Sequence, residues 1–189
     1  LEKNASRARF VDEVLARTGR IDILVNNAGT GIFGKIDEIP METVLNQANV
    51  FLLGPWDLCR RIVPHMKSRG EGWILNIGSV SYFPPDGPCA EYVQARGDET
   101  PYATFKAAMH RFSAALACEL ASSNIAVNVV LPVASVSTPA FEALMKRKVA
   151  VRGAPEEEIR ENFLEQVEHI AEAALALVSR KPQECTGKV

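Results

Sequence analysis

Short apolar runs alternate along this chain with stretches in which apolar residues recur every three to four positions. Phe10, Val14 and Leu15 recur among charges between residues 5 and 18, and Gly19 stands where a helix would stop, so an amphipathic helix is expected there. Ile21-Asp22-Ile23-Leu24-Val25 is a buried-strand run that breaks into Asn26-Asn27-Ala28-Gly29. Thr30 to Gly34 reads as a flexible loop. Pro40 then precedes a helical pattern that continues from Val44 to about Arg69. Gly72-Trp73-Ile74-Leu75-Asn76-Ile77 reads as a second buried strand, ending in the small-residue turn Gly78-Ser79.

A helix is expected from Pro101 to about Ala121, with Phe105, Met109, Phe112, Leu116 and Leu120 forming an apolar stripe. Thr100 suits its cap and Pro101 its first turn, where a missing N–H costs nothing. Ile125 to Leu131 is a third strand run, closed by Pro132. Beyond it, one helix is expected from Ala140 to about Lys148. Another should start at Glu156-Glu157-Glu158 and carry Ile159, Phe163, Val167, Ile170, Ala174 and Leu177 on to about Ser179. The loop from Phe83 to Glu99 is long, polar and rich in proline, which suits either a lid or a passive insertion.

The chemistry concentrates between Ser79 and Lys106. Tyr102 and Lys106 stand four apart, so a helix turns both onto one face. A fixed cation favours the phenolate, lowering a phenol from its usual pKa of about 10 and letting Tyr102 exchange a proton with an alcohol or carbonyl. The spacing alone is a weak signal. Ser79 by itself is more often a turn residue, Asn27 a turn cap and Lys106 a solvated charge. Together they fall at the carboxyl edge of an α/β sheet, where such folds bind ligands.

In this order, Asn-Asn-Ala-Gly after a strand, Ser after the next strand and Tyr-x-x-x-Lys opening a long helix resemble the short-chain dehydrogenase/reductase family over about residues 5 to 187. The resemblance implies an α/β, Rossmann-like doubly wound parallel sheet in one domain over residues 1–189. No Gly-x-x-x-Gly-x-Gly or Gly-x-Gly-x-x-Gly turn occurs here, and Cys185-Thr186-Gly187-Lys188-Val189 looks like the entry to a strand that is cut short. The sheet is therefore expected to lack its first strands and its last, as a piece of a longer chain would.

The implied activity is NAD- or NADP-dependent interconversion of a secondary alcohol and a ketone. Tyr102 would be the general acid/base, Lys106 would hold the nicotinamide ribose, and Ser79 would bond the substrate oxygen. Asn27, Ala28 and Gly29 would meet the cofactor's adenosine-side ribose. Pro132, Val133 and Thr138 match positions near its amide or phosphates, although Val133 stands where the family has Gly, and Thr138-Pro139 also reads as a helix cap. The family's helix Asn, which holds a relay water, is matched by Asn49, but counting back from Pro64 lands on Phe51. The resemblance also implies a homo-oligomer, dimer or tetramer. The alternative is a non-catalytic fragment that acts through association with partners. A Ser79-dependent hydrolase is remoter, lacking a Gly-x-Ser-x-Gly elbow and a His partner.

Composition narrows the rest. With 189 residues and 47% hydrophobic content the chain can bury one core, and a net charge of −2 suggests neither a nucleic-acid nor a membrane partner. No apolar run reaches the ~20 residues of a membrane helix, so a cytoplasmic protein is expected. The four cysteines and three histidines are scattered and indicate no metal site. Cys59 and Cys118 read as small apolar helix residues.

Overall fold

The computed structural model describes residues 4–29, 31–83, 98–132, 135–136, 138, 141 and 164–188. Three parallel strands lie side by side in chain order: β1 (Ile23–Asn26), β2 (Gly72–Ile77) and β3 (Ile125–Val130). Ile23 stands beside Trp73, and Gly72 beside Ile125. Parallel neighbours need long crossovers, and helices supply them. Between β1 and β2 run α2 (Met41–Ala48) and α3 (Gly54–Arg69), and between β2 and β3 runs α4 (Thr100–Leu120).

The first helix, α1 (Asn4–Thr18), stops at Gly19, whose φ of +70° suits a residue without a Cβ. Val11 of α1, Leu58, Ile62 and Met66 of α3 and Leu120 of α4 bury against Leu24, Ile74 and Val127 of the strands. The opposite face of the sheet is met by α5 (Val167–Val178): the Trp73 indole N–H donates to the Arg180 carbonyl at 2.8 Å, just past that helix. Helices thus lie on both faces, and every residue of β3 is buried, as parallel sheets require, while Ile23 and Val25 of β1 stay exposed. This is the expected Rossmann-like α/β fold.

One charged cluster fastens α1 to α3. Asp57 accepts from Arg7 Nε at 2.9 Å, Arg60 at 2.7 Å and Arg61 at 3.0 Å. Arg7 and Asp57 are both buried. Burial would raise the Asp57 carboxyl, but bonds from Arg60, Arg7 and Arg61 outweigh it and hold the group well below the usual carboxylate range.

Several expectations change. The helix expected from Val44 to Arg69 is two helices joined by a π turn, Asn49–Leu53, which inserts one extra residue. Thr100 is already helical. Glu99 caps α4 instead, its carbonyl accepting from Ala103 N–H at 2.8 Å with no side-chain cap.

The loop read as flexible is held at residues 31–34. The Gln47 amide accepts from Ile32 N–H at 3.2 Å and donates to the Ile32 carbonyl at 2.9 Å, and Gly34 N–H donates to Asp98. The helix expected to run on from Glu156 does not pass through Leu164 and Glu165. These form β5 (Leu164–Glu165), paired in parallel with β4 (Ser135–Val136), and the extended Gln166 lets α5 begin only at Val167. Cys59 is buried as expected, whereas Cys118 is exposed.

Cys185 to Lys188 does run beside β3 in strand-like fashion. Gly187 N–H donates to Val127, and Val129 N–H donates to Lys188. The long loop at 84–97, Val133, the helix expected at 140–148 save Phe141, and the Glu156 start lie outside the described residues.

Candidate active site

The sheet's carboxyl edge is assembled by a buried chain of amides and hydroxyls. Asn26 ends β1 and donates from Nδ2 to Asn76 Oδ1 at 2.8 Å; Asn76 Nδ2 donates to Ser113 Oγ at 2.8 Å, and Ser113 donates to the Met109 carbonyl at 2.7 Å. Asn76 is fully buried. Buried polar groups must find partners, so this chain fixes β1, β2 and α4 relative to one another. The sequence signal was available: an Asn inside an otherwise apolar strand run.

Lys106 lies one helical turn beyond Tyr102 and is buried. Its ammonium donates to the carbonyl of Ile77, the last residue of β2, at 2.7 Å. It lies 4.8 Å from the centre of the Phe51 ring and 5.8 Å from that of Tyr102. Burial pushes Lys106 down to about 8, so the group stays mostly charged at neutral pH. An ammonium has three N–H donors, which leaves two beyond the Ile77 bond. Those suit the vicinal hydroxyls of a ribose.

Tyr102 is half-buried between two aromatic rings, Phe33 at 5.4 Å and Phe51 at 5.4 Å in an edge-to-face arrangement. Gly31 presses on it from the loop side, where a Cβ would come within 2.8 Å of the Tyr102 ring. These contacts fix where the phenol ring sits.

Ser79 follows β2 in extended backbone and caps the short turn Val80–Tyr82, its Oγ accepting from Ser81 N–H at 3.2 Å. Its own proton goes to no acceptor among the described residues. The Ser81 hydroxyl donates to Glu99 Oε2 at 3.0 Å, which ties the turn after Ser79 to the start of the helix that carries Tyr102.

From beneath, Ser79 N–H donates to His110 Nε2 at 3.4 Å, and Tyr82 stacks on that imidazole at 3.8 Å. Burial and the nearby Lys106 charge push His110 down to about 4, so it is neutral at pH 7 and its Nε2 can accept. This buttress did not show in the sequence, where His110 is only one of three scattered histidines. Gly78 makes room for it, since a Cβ there would collide with His110 Nε2 and Val129. Gly78→Ala should therefore lower stability by about 1–3 kcal/mol in urea unfolding, the usual cost of overpacking.

The remaining sequence candidates separate into two groups. Asn27, Ala28 and Gly29 lie exposed beyond β1, and a Cβ on Gly29 would stand 2.5 Å from Phe51 Cε1. Their turn thus abuts the ring that touches Tyr102 and Lys106. Asn49 turns elsewhere: its Nδ2 donates to the Leu45 carbonyl at 3.1 Å, one turn back on its own helix. Phe51, where the count from Pro64 landed, faces the pair. Pro132 follows β3, and the Thr138 hydroxyl accepts from Phe141 N–H at 3.2 Å in the capping arrangement. Among the described residues no cluster of His, Cys, Asp or Glu could hold a metal, and no helix is long and apolar enough to cross a membrane.

Comparison with known proteins identifies the family and the fold. A family model described as short chain dehydrogenase matches residues 1–148. An acetoacetyl-CoA reductase of Allochromatium vinosum is 38% identical over 128 residues, 66% of this chain and 47% of its own. The oxidoreductase UcpA of Escherichia coli is 32% identical over 143 residues, 76% of this chain and 51% of its own. The chain thus spans about half the length of the curated relatives it matches. The solved structure of L-sorbose reductase from Gluconobacter frateurii, complexed with NADPH and L-sorbose, superimposes with a TM-score of 0.83 at 26% identity, covering 99% of this chain and 70% of that one. With its strand order, its sheet-edge residues and the family match over most of its length, the chain belongs to the short-chain dehydrogenase family.

Proposed function

We propose that the protein is an NAD(P)-dependent oxidoreductase that interconverts a secondary alcohol and a ketone. The observation that carries this reading is the buried Lys106 ammonium, held by the Ile77 carbonyl 5.8 Å from the Tyr102 ring and two residues before Ser79. The nicotinamide, when bound, supplies or accepts the hydride. Tyr102 gives its phenolic proton to the carbonyl oxygen in reduction and takes it back in oxidation. Lys106 favours the phenolate through its charge and would hold the nicotinamide ribose with its two remaining N–H groups. Ser79 donates its uncommitted proton to the substrate oxygen as negative charge develops there.

Asn27, Ala28 and Gly29 would let backbone approach the adenosine-side ribose, and Pro132, Val133 and Thr138 match the family's positions near the cofactor amide or phosphates. Asn49 would enter the proton path through its other amide groups, since Nδ2 donates one N–H to the Leu45 carbonyl. Relatives named as reductases, and a structural neighbour holding NADPH with a keto sugar's name in its description, support ketone reduction with NADPH as the direction to test first. A homo-oligomer is also proposed: Trp56, 51% exposed and stacked on Phe112 at 4.8 Å, offers an apolar patch across α3 and α4.

Ligand-induced stabilisation tests the cofactor assignment. A ligand that binds only the native state at one hundred times its Kd adds about 2.7 kcal/mol, a rise of roughly 5–10 °C in Tm. NADPH or NADH should produce such a rise. No shift with either would favour the non-catalytic alternative.

A further inference from the structure

Phe51 touches the glycine turn, the phenol and the ammonium, yet it has no group that can enter the proposed chemistry. It is only 7% exposed. Its ring meets Tyr102 edge to face at 5.4 Å, lies 4.8 Å from the Lys106 ammonium, and would be struck by a Cβ on Gly29. The π turn puts it there. One extra residue in a helix rotates the succeeding side chains by about 100°, bringing Phe51 to the site while Asn49 stays on its own helix.

Taking an ammonium out of water is costly unless something replaces the lost hydration. The Ile77 carbonyl satisfies one N–H. An aromatic face, negative at its centre, attracts the charge without accepting a conventional hydrogen bond. We propose that Phe51 is a positioning residue, whose ring holds the Lys106 ammonium charged and fixed beside Tyr102. It thereby leaves the remaining N–H groups for a bound ligand. The proposal deepens the acid/base reading of Tyr102 and Lys106 and rests on it for its meaning, though not for its test.

The neighbours of Lys106 make its titration readable. Among the described residues, the titratable groups on the elements packed about it are Tyr102, His110 and Glu99 of α4 and its cap with the exposed Arg111, Cys118 and Glu119 further along that helix, Tyr82 of the short turn, and the exposed Glu42 of α2. The π turn, β2 and β3 carry none. His110 is neutral above about 4, and Glu99 accepts from Ser81. Lys106 should therefore titrate near 8, apart from the other lysines.

The experiment tracks the ε-carbon NMR signal of Lys106 against pH, in protein free of substrate and cofactor, assigned with Lys106→Arg. Phe51→Leu keeps the apolar bulk but removes the ring face, so the midpoint should fall by about half a unit to one and a half units. Phe51→Trp keeps a ring face and should stay near the wild-type midpoint. An unchanged or raised midpoint in Phe51→Leu would overturn the proposal.

A second measurement needs no variant. The Lys106 ε-methylene protons should lie upfield of those of the other lysines because of the ring beneath them, and an ordinary position would overturn the proposal equally. Neither readout depends on turnover. If Tyr102→Phe left activity intact, the acid/base reading would fall while this contact stood.

Discussion

Tyr102→Phe should cut NADPH-dependent ketone reduction by the whole protein by a factor on the order of one hundred to ten thousand, the usual contribution of a positioned acid or base. The substitution removes one oxygen and little else. A phenylalanine ring can keep the contacts with Phe33 and Phe51, so thermal stability should change little. Steady-state rates of the purified variant, compared at equal NADPH and substrate, provide the check. Substantial remaining turnover would remove Tyr102 from its role. Loss of activity accompanied by a collapse in Tm would mean that the fold had been damaged instead.

Asp57→Asn should produce the largest loss of stability, about 3 kcal/mol in urea unfolding. Breaking a buried ion pair strands the other charge at a cost of about 3–5 kcal/mol, and the exposed Arg60 in this cluster argues for the lower end. Arg7 is the buried partner of the pair, its side chain 8% exposed.

The pH dependence arises from the same cluster. Because Asp57 is held below its ordinary value in the native state, its contribution is present above about pH 3.9, the unfolded value, and is lost as the pH falls through the native value. The Asn variant should lack that part of the acid limb. A loss below about 1 kcal/mol at neutral pH would show that the cluster is a solvated surface pair.

The sequence revealed the sheet edge well because its signals there are local. Apolar runs, a helix stop at Gly19 and a Tyr-Lys spacing of four each depend on one or two turns of chain. The interlocking beneath that edge was harder to see because it joins residues far apart: Asn26 with Asn76, Asn76 with Ser113, and Ser79 with His110.

Helix registers failed for a specific reason. Periodicity assumes 3.6 residues per turn, and the π turn at Asn49–Leu53 breaks that count. Residue type points to Asn49, which bonds back to its own helix, while the count back from Pro64 lands on Phe51, the residue that reaches the site. Capping failed similarly at Thr100, where residue type suggested a cap that the chain satisfied one residue earlier, through the backbone of Glu99. The continuity expected for the last helix overlooked a two-residue strand pairing, because Leu164 and Glu165 are as compatible with helical spacing as with extension.

The central claim is that Tyr102 and Ser79 serve one reacting oxygen, with Lys106 acting on it through Tyr102. Its most direct test is a crystal structure of the whole protein with NADP and an alcohol substrate bound. The substrate oxygen should lie within about 3 Å of both the Tyr102 hydroxyl and the Ser79 hydroxyl, with the Lys106 ammonium on the nicotinamide ribose. A substrate oxygen held by other residues, with Tyr102 and Ser79 out of its reach, would contradict the account.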